Sequence, residues 1–332
     1  MIELKTPNGL SVNVPSNVQE DVSPHFNIDQ LEEAKLYYKD NGYVVFSSII
    51  ENDDCDEMRS LWDREVKSYP GKIYRQATAQ LEYNVYNDSG WVMNPILNLQ
   101  SLNPRDFPKL RKTARSKILT APKLARVFRS FFEDRPKIVQ SMYFEGNSAT
   151  WEHQDSYYLD SEQLGTMAAA WIAMEDIAPT AGRFFVCPKS HLLDWKRQSS
   201  IDNIAYSHDV YVQSVVQTMK NEGFEVRAPA LRKGDVLFWN AFTIHGSLDS
   251  QDSVFSRSSV TCHAIPEGHQ LIQMQSLIRR TDVEVENDVA VYAPKDLAKM
   301  RNKLIYNIES KFSRPFYALK RKVLASVVNR NA

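Results

Sequence analysis

The sequence predicts one α+β domain in which helices come first and an antiparallel barrel or jelly roll follows. Two patterns predict it. Up to residue 134, most apolar residues recur at three- and four-residue steps, the period of an amphipathic helix. From Lys137 to Ile265 the apolar runs are short and separated by turns, mostly without helices between them. Composition agrees with both. The 332 residues are 43% hydrophobic and 24% charged, enough apolar material for a sizeable core.

The elements follow in order. Residues 1–27 contain Pro7, Pro15 and Pro24 and read as an irregular arm, with Leu4, Leu10, Val12 and Val14 able to form an edge strand. Asn27-Ile28-Asp29 supplies capping side chains for a helix that ends at Asn41-Gly42. Tyr43-Val44-Val45-Phe46 is a short strand, and a helix from Glu51 to Tyr69 stops at Pro70-Gly71. Residues 71–108 lack periodicity but carry Tyr74, Tyr83, Tyr86 and Trp91. They form either a functional lid or a packed aromatic loop. Residues 107–134 are helical, with a break at Pro122. Strands are expected over 138–144, 166–174, 184–186, 236–239, 244–247 and 256–265 and a strand or strand-loop over 150–157, with a helical excursion at 200–222 and helix again over 294–332. The expected division is an arm (1–27), a main domain (28–290) and a basic helical extension (291–332).

Charge and cysteines narrow the function. A net charge of −1 gives no reason to expect a nucleic acid partner. Cys55, Cys187 and Cys262 are far apart, which suits neither a disulfide framework nor a zinc site and suggests a reducing compartment. The N-terminus lacks a secretory pattern and no apolar run is long enough to span a membrane, so a cytoplasmic location is expected. Residues 311–332 carry Lys311, Arg314, Lys320, Arg321, Lys322 and Arg330 and no acid. They could contact a membrane surface or a partner, or simply pack as a helix with a solvated basic face.

The chemistry centres on His153-Gln154-Asp155. In a strand, residues two apart share a face, so His153 and Asp155 would project together as two parts of a 2-His-1-carboxylate iron site. Of the other histidines, His245 is the best third ligand, because it follows an apolar strand and a turn. His263 reads as a core histidine or a substrate contact. Further on, Arg257, Ser259, Thr261 and His263 alternate with less polar residues. A guanidinium grips a carboxylate through two hydrogen bonds, so Arg257 with Ser259 suits a dicarboxylate.

Together these segments resemble the phytanoyl-CoA dioxygenase (PhyH) family of Fe(II)/2-oxoglutarate oxygenases, from about Ile28 to Ile265. Tyr38 to Val45 resembles its N-terminal signature, and His153-Gln154-Asp155 its metal motif. Gly182 to His191 resembles its turn into a Pro-x-Ser-His segment. Gly234-Asp235 through His245-Gly246-Ser247 resembles its second metal segment, and Arg257 its arginine anchor. Trp171, sixteen residues after Asp155 (171 − 155 = 16), matches a family contact to 2-oxoglutarate. Arg183 departs from the family, which more often has Gly-Pro-Leu where this chain has Gly182-Arg183-Phe184.

The resemblance implies a double-stranded β-helix core flanked by N- and C-terminal helices. It implies Fe(II) held by His153, Asp155 and His245, with 2-oxoglutarate anchored by Arg257, Ser259, Trp171 and Gln140. O2 would be consumed, succinate and CO2 released, and an aliphatic C–H of a small-molecule metabolite hydroxylated. A carboxylate at position 155 argues against halogenation, which needs a freed ligand position. Tyr143, Tyr157, Tyr158 and Arg183 are the candidate substrate contacts. The alternatives are a desaturase or cyclase on the same iron site, a zinc hydrolase, and a binding protein without oxygenase activity.

Overall fold

Helices cover one face of a large sheet, and the other face looks onto a small sheet that carries the functional residues. The computed structural model describes residues 1–146, 148–193, 204–274 and 277–319. The chain begins with a hairpin, β1 (Ile2–Lys5) and β2 (Ser11–Val14), then a short strand β3 (His25–Phe26). Helix α1 (Leu31–Asn41), strand β4 (Tyr43–Phe46) and helix α2 (Asn52–Leu61) follow. Strands β5 (Ile73–Tyr74), β6 (Leu81–Glu82) and β7 (Ile96–Leu97) punctuate the aromatic loop before helices α3 (Pro108–Thr113) and α4 (Pro122–Phe132). The core strands are β8 (Pro136–Phe144), β9 (Thr150–His153), β10 (Leu159–Ser161), β11 (Ala168–Ala173) and β12 (Phe184–Val186). After helix α5 (Ile204–Glu222) come β13 (Val236–Asn240), β14 (His245–Ser247) and β15 (Ser259–Pro266). Strands β16 (Leu271–Gln273), β17 (Leu277–Arg279), β18 (Val283–Glu286) and β19 (Val289–Tyr292) lead into α6 (Met300–Lys311).

Local chemistry sets the boundaries. Gly42 closes α1 in the left-handed region (φ 77°), and a side chain there would collide with His191 and Thr243. Pro122 starts α4 at its first turn, where a missing N–H costs nothing. The break expected at Pro122 is thus a helix start.

The large sheet runs β18-β19-β8-β15-β11-β13-β4-β3, with β7 also paired to β8. Alternation sorts its residues. Val44, Phe46, Ala170, Ile172, Phe238, Val260 and Cys262 face the helices and form the main core with Trp62, Leu124 and Phe128. Val45, Ala169, Trp171, Leu237 and Trp239 face the other way. The small sheet, β12-β14-β9, meets that second face: Phe184 lies 4.7 Å from Trp239 and 6.1 Å from Trp171 between ring centroids. Two facing layers, antiparallel except where β19 meets β8 and β3 meets β4, with helices outside make the α+β double-stranded β-helix that the sequence predicts.

At the ends one expectation needs correction and two gain detail. Part of the arm pairs, as its Leu and Val residues allow, into the hairpin of β1 and β2. Val12 and Val14 are buried against Tyr211, Val215 and Met219 of α5, because alternation in β2 gives the hairpin an apolar side to hide. The boundary at 290/291 falls inside β19, which pairs in parallel with β8 and so belongs to the core sheet. Between Pro266 and the helix expected over 294–332 lie four strands, β16 to β19, and α6 begins at Met300. Residues 320–332, which hold Lys320, Arg321, Lys322 and Arg330, lie outside the described residues.

Candidate metal centre and active site

Strand pairing brings two histidines together. His245 on β14 is the register partner of His153 on β9, so the rings stand side by side with centroids 4.3 Å apart. Gly246 permits this approach, since a side chain there would strike the Thr150 carbonyl and the Phe185 ring. Strand β9 ends at His153, however, and Asp155 opens a short 3-10 turn through Tyr157. Of the two readings of 150–157, strand or strand-loop, the structure has the second. The turn still aims the Asp155 carboxylate at the two rings.

The ligand atoms of His153, Asp155 and His245 all lie within 4.8 Å of one another. His153 Nδ1 is 2.7 Å from the Trp151 carbonyl and His245 Nδ1 is 2.9 Å from the Thr243 carbonyl. A proton on each Nδ1 would then donate to the carbonyl two residues back and leave Nε2 as the free lone pair. Those Nε2 atoms face Asp155 Oδ1 at 3.9 and 3.5 Å. The other carboxylate oxygen is occupied: Trp239 Nε1–H donates to Oδ2 at 2.8 Å, and His263 Nε2 lies 3.3 Å from it. One oxygen and two imidazole nitrogens thus converge without competing partners. This donor set suits a first-row metal with open positions.

Electrostatics agree. Burial works against charge on Asp155, but the neighbouring His245 and His263 outweigh it and hold the carboxyl well below its usual range. Burial, reinforced by neighbouring His245, pushes His153 down to about 4, which keeps its imidazole neutral. A neutral imidazole is the form that ligates.

Arg257 is a buried cation near the triad. It is 2% exposed, and burial alone pulls its guanidinium down to about 9. It donates to the Gly182 carbonyl at 2.9 Å, while its Nε has no hydrogen-bond partner among the described residues. Among the described residues no carboxylate pairs with it. Its guanidinium lies over Trp171 at 5.8 Å; Trp171 contacts Phe184, and Phe184 lies 5.3 Å from His245. A buried cation without a counter-ion, linked to the triad by two rings, fits an anionic ligand. Ser259 begins β15, and its hydroxyl donates to the Arg257 carbonyl at 3.2 Å, so it fixes the arginine's backbone. Gln140 pairs in register with His263.

A bulge shapes the space beside the triad. Between His263 and Ala264 the pairing jumps from Gln140 to Ile138, so Val139 is extra. A bulge turns two consecutive side chains towards one face, and Val139 and Gln140 both line a cavity of about 560 Å³. Its other walls include Tyr74 and Phe107 from the aromatic loop and Met274 and Tyr306 from the C-terminal part. None of the three metal ligands lines this cavity. Tyr158 does, and its ring stands edge-on to His153 at 5.7 Å, so this one side chain borders both the chamber and the metal centre.

Three candidate substrate contacts are placed elsewhere. Tyr143 points to the helix face of β8 and stacks on Trp62 at 4.0 Å. Tyr157 stacks on Tyr211 of α5 at 3.6 Å, behind the small sheet. Arg183 is buried rather than at the site mouth. It donates to the Ile177 carbonyl at 2.9 Å and to the Pro15 carbonyl at 2.6 Å, clamping the N-terminal arm to the barrel. Arg183→Leu would leave two buried carbonyls unpaired. It should lower stability by about 2–4 kcal/mol in a denaturant titration, with 2-oxoglutarate affinity unchanged.

Two residues at the centre escaped a sequence reading. Trp239 lies in Val236-Leu237-Phe238-Trp239, where both faces are buried, so no polar alternation marks its inward side. His263 stood only as a core histidine or substrate contact. Its pairing with Asp155 depends on the turn at 155–157.

A model of the family "Phytanoyl-CoA dioxygenase (PhyH)" matches residues 38–257. The chain belongs to the phytanoyl-CoA dioxygenase family. With the triad present, it is an iron- and 2-oxoglutarate-dependent oxygenase of that family. It is 24% identical over 256 residues to the peroxisomal phytanoyl-CoA dioxygenase of Mus musculus, covering 71% of this chain and 68% of that one. It is also 24% identical over 190 residues to phytanoyl-CoA dioxygenase domain-containing protein 1 of Danio rerio, covering 46% and 63%. Among solved structures, the epimerase SnoN in complex with Fe3+, alpha ketoglutarate and nogalamycin RO superposes with a TM-score of 0.57 at 16% identity, covering 79% of this chain and 98% of that one. EctD from S. alaskensis with 2-oxoglutarate and 5-hydroxyectoine gives 0.54 at 16% identity, covering 78% and 86%. At these identities the likeness establishes the fold.

Proposed function

We propose that the protein hydroxylates an aliphatic C–H of a small molecule seated in the chamber beside Tyr158 and Gln140. His153 Nε2, His245 Nε2 and Asp155 Oδ1 are the atoms that would hold Fe(II). A bound iron would supply the redox chemistry that couples O2 and 2-oxoglutarate to substrate oxidation, with succinate and CO2 as co-products.

The chain's own groups do the positioning. The Trp151 and Thr243 carbonyls orient the two imidazoles. Trp239 and His263 hold Oδ2, which leaves Oδ1 for the metal. Arg257 would bind the far carboxylate of 2-oxoglutarate, with the Trp171 ring 5.8 Å from the guanidinium and Ser259 bracing its backbone. Gln140, which lines the chamber, and its register partner His263, whose buried Nδ1 has no hydrogen-bond partner among the described residues, offer further polar groups. Closing such a site against water strengthens each of these interactions.

The observation that carries this reading is Arg257. A zinc hydrolase would have no use for a buried, carboxylate-free guanidinium linked to the triad. The arm and the C-terminal strands belong to the catalytic unit rather than flank it, since one is clamped by Arg183 and the others wall the chamber. The three cysteines are free and buried, which supports a reducing compartment such as the cytoplasm. No helix among the described residues is long and apolar enough to cross a membrane.

The test is an anaerobic titration. Fe(II) with 2-oxoglutarate should give a charge-transfer absorption band, and admission of O2 should release succinate. Absence of the band in the metal-loaded protein would sink the oxygenase reading.

A further inference from the structure

Helix α6 has two unlike sides. Its inner side carries Glu309, fully buried, which accepts a hydrogen bond from Tyr74 at 2.8 Å and another from Tyr317. Tyr306 on the same side donates to the Lys72 carbonyl at 2.8 Å. Its outer side carries a row at four-residue steps: Met300 (72% exposed), Leu304 (60%), Ile308 (53%) and Phe312 (61%), just past the helix end. The outer side of a surface helix is normally polar. Four large apolar side chains in line there call for a covering layer.

Charge says what covers it. From Met300 to Ala332 the basic residues are Arg301, Lys303, Lys311, Arg314, Lys320, Arg321, Lys322 and Arg330, and the one acid is Glu309. That acid points inward and is buried, so among the described residues of this segment the outward charges, Arg301, Lys303, Lys311 and Arg314, are all positive. A second copy of the chain would set two such cationic faces against each other, and like charges would oppose the contact. An anionic lipid surface meets both features: acyl chains take the apolar row and headgroups take the lysines and arginines. The helix is twelve residues long, which suits lying in the interface rather than crossing it.

We infer that α6 and the basic segment after it dock the protein on an anionic membrane surface, with Met300, Leu304, Ile308 and Phe312 inserted.

Vesicle sedimentation with the full-length protein tests this. Vesicles of phosphatidylcholine with about a third phosphatidylserine should retain the protein, pure phosphatidylcholine should not, and raised salt should release it. The double variant Leu304→Asp/Ile308→Asp should lower retention roughly tenfold or more. Both side chains are exposed, so its melting temperature should match the parent's. A second variant, Lys320→Gln/Arg321→Gln/Lys322→Gln, keeps the apolar row and should lose a similar factor. Equal retention on neutral and anionic vesicles, no retention on either, or full retention by Leu304→Asp/Ile308→Asp would overturn the inference. So would a concentration-dependent dimer that the aspartates abolish, which would assign the face to a second copy.

Discussion

Asp155→Asn is expected to keep the fold and lose the metal, whereas Asp155→Ala loses stability as well. Asp155 stands where the two imidazole nitrogens, the Trp239 indole and His263 meet. Asparagine retains an oxygen for the Trp239 N–H but removes the negative charge that faces Nε2 of His153 and His245. Iron affinity should fall at least about a hundredfold, and succinate release should reach background. Alanine also strands the Trp239 N–H and His263, each at about 1–3 kcal/mol. Metal analysis after dialysis, paired with a denaturant titration of the metal-free proteins, separates the two effects. Retention of iron by Asp155→Asn would remove the carboxylate from the ligand set.

Arg257→Met is expected to act in opposite directions on binding and on stability. In the ligand-free protein the guanidinium is buried, with the Gly182 carbonyl as a partner and no carboxylate beside it. Replacing such a cation by an apolar chain of similar length should leave the metal-free fold unchanged or stabilise it by about 1–4 kcal/mol. The far carboxylate of 2-oxoglutarate would lose its buried partner, which costs about 2–5 kcal/mol, or roughly thirty- to several-thousandfold in affinity. Arg257→Lys should recover little, because an ammonium lacks the paired donors of the fork. If Arg257→Met unfolds the protein while the surviving fraction binds 2-oxoglutarate normally, the arginine is a structural residue.

What was legible in the sequence depended on whether a local signal existed. Helices α1, α2 and α4 and strands β8, β9 and β11 to β15 follow from apolar period, Pro122 and the glycine turns, whereas β10 gives no such signal. His153 and Asp155 stand out by their two-residue spacing, His245 by following an apolar strand and a turn, and Arg257 by heading an alternating polar run. Trp239 gave no such signal, since Leu237 and Phe238 beside it are buried on opposite faces of the same strand. Tyr143 and Tyr157 were misplaced for a related reason. A tyrosine serves a core as well as a pocket, and parity along β8 is read correctly only when the bulge at Val139 is known. Arg183 looked like a mouth residue because charge usually seeks water. The carbonyls that satisfy it belong to Ile177 and to Pro15, 168 residues away in sequence.

The pairing of His153 with His245 also bears on how the molecule can assemble. It closes a loop of 92 residues (245 − 153 = 92), and the Glu152 next to it is bonded to Asn8, 144 residues upstream. The large sheet is no more local: Gln140 of β8 meets His263 of β15 across 123 residues (263 − 140 = 123). Contacts of such separation must spend chain entropy before they hold. The two layers around the metal centre therefore close only as the barrel itself closes, and the chain should fold slowly for its size.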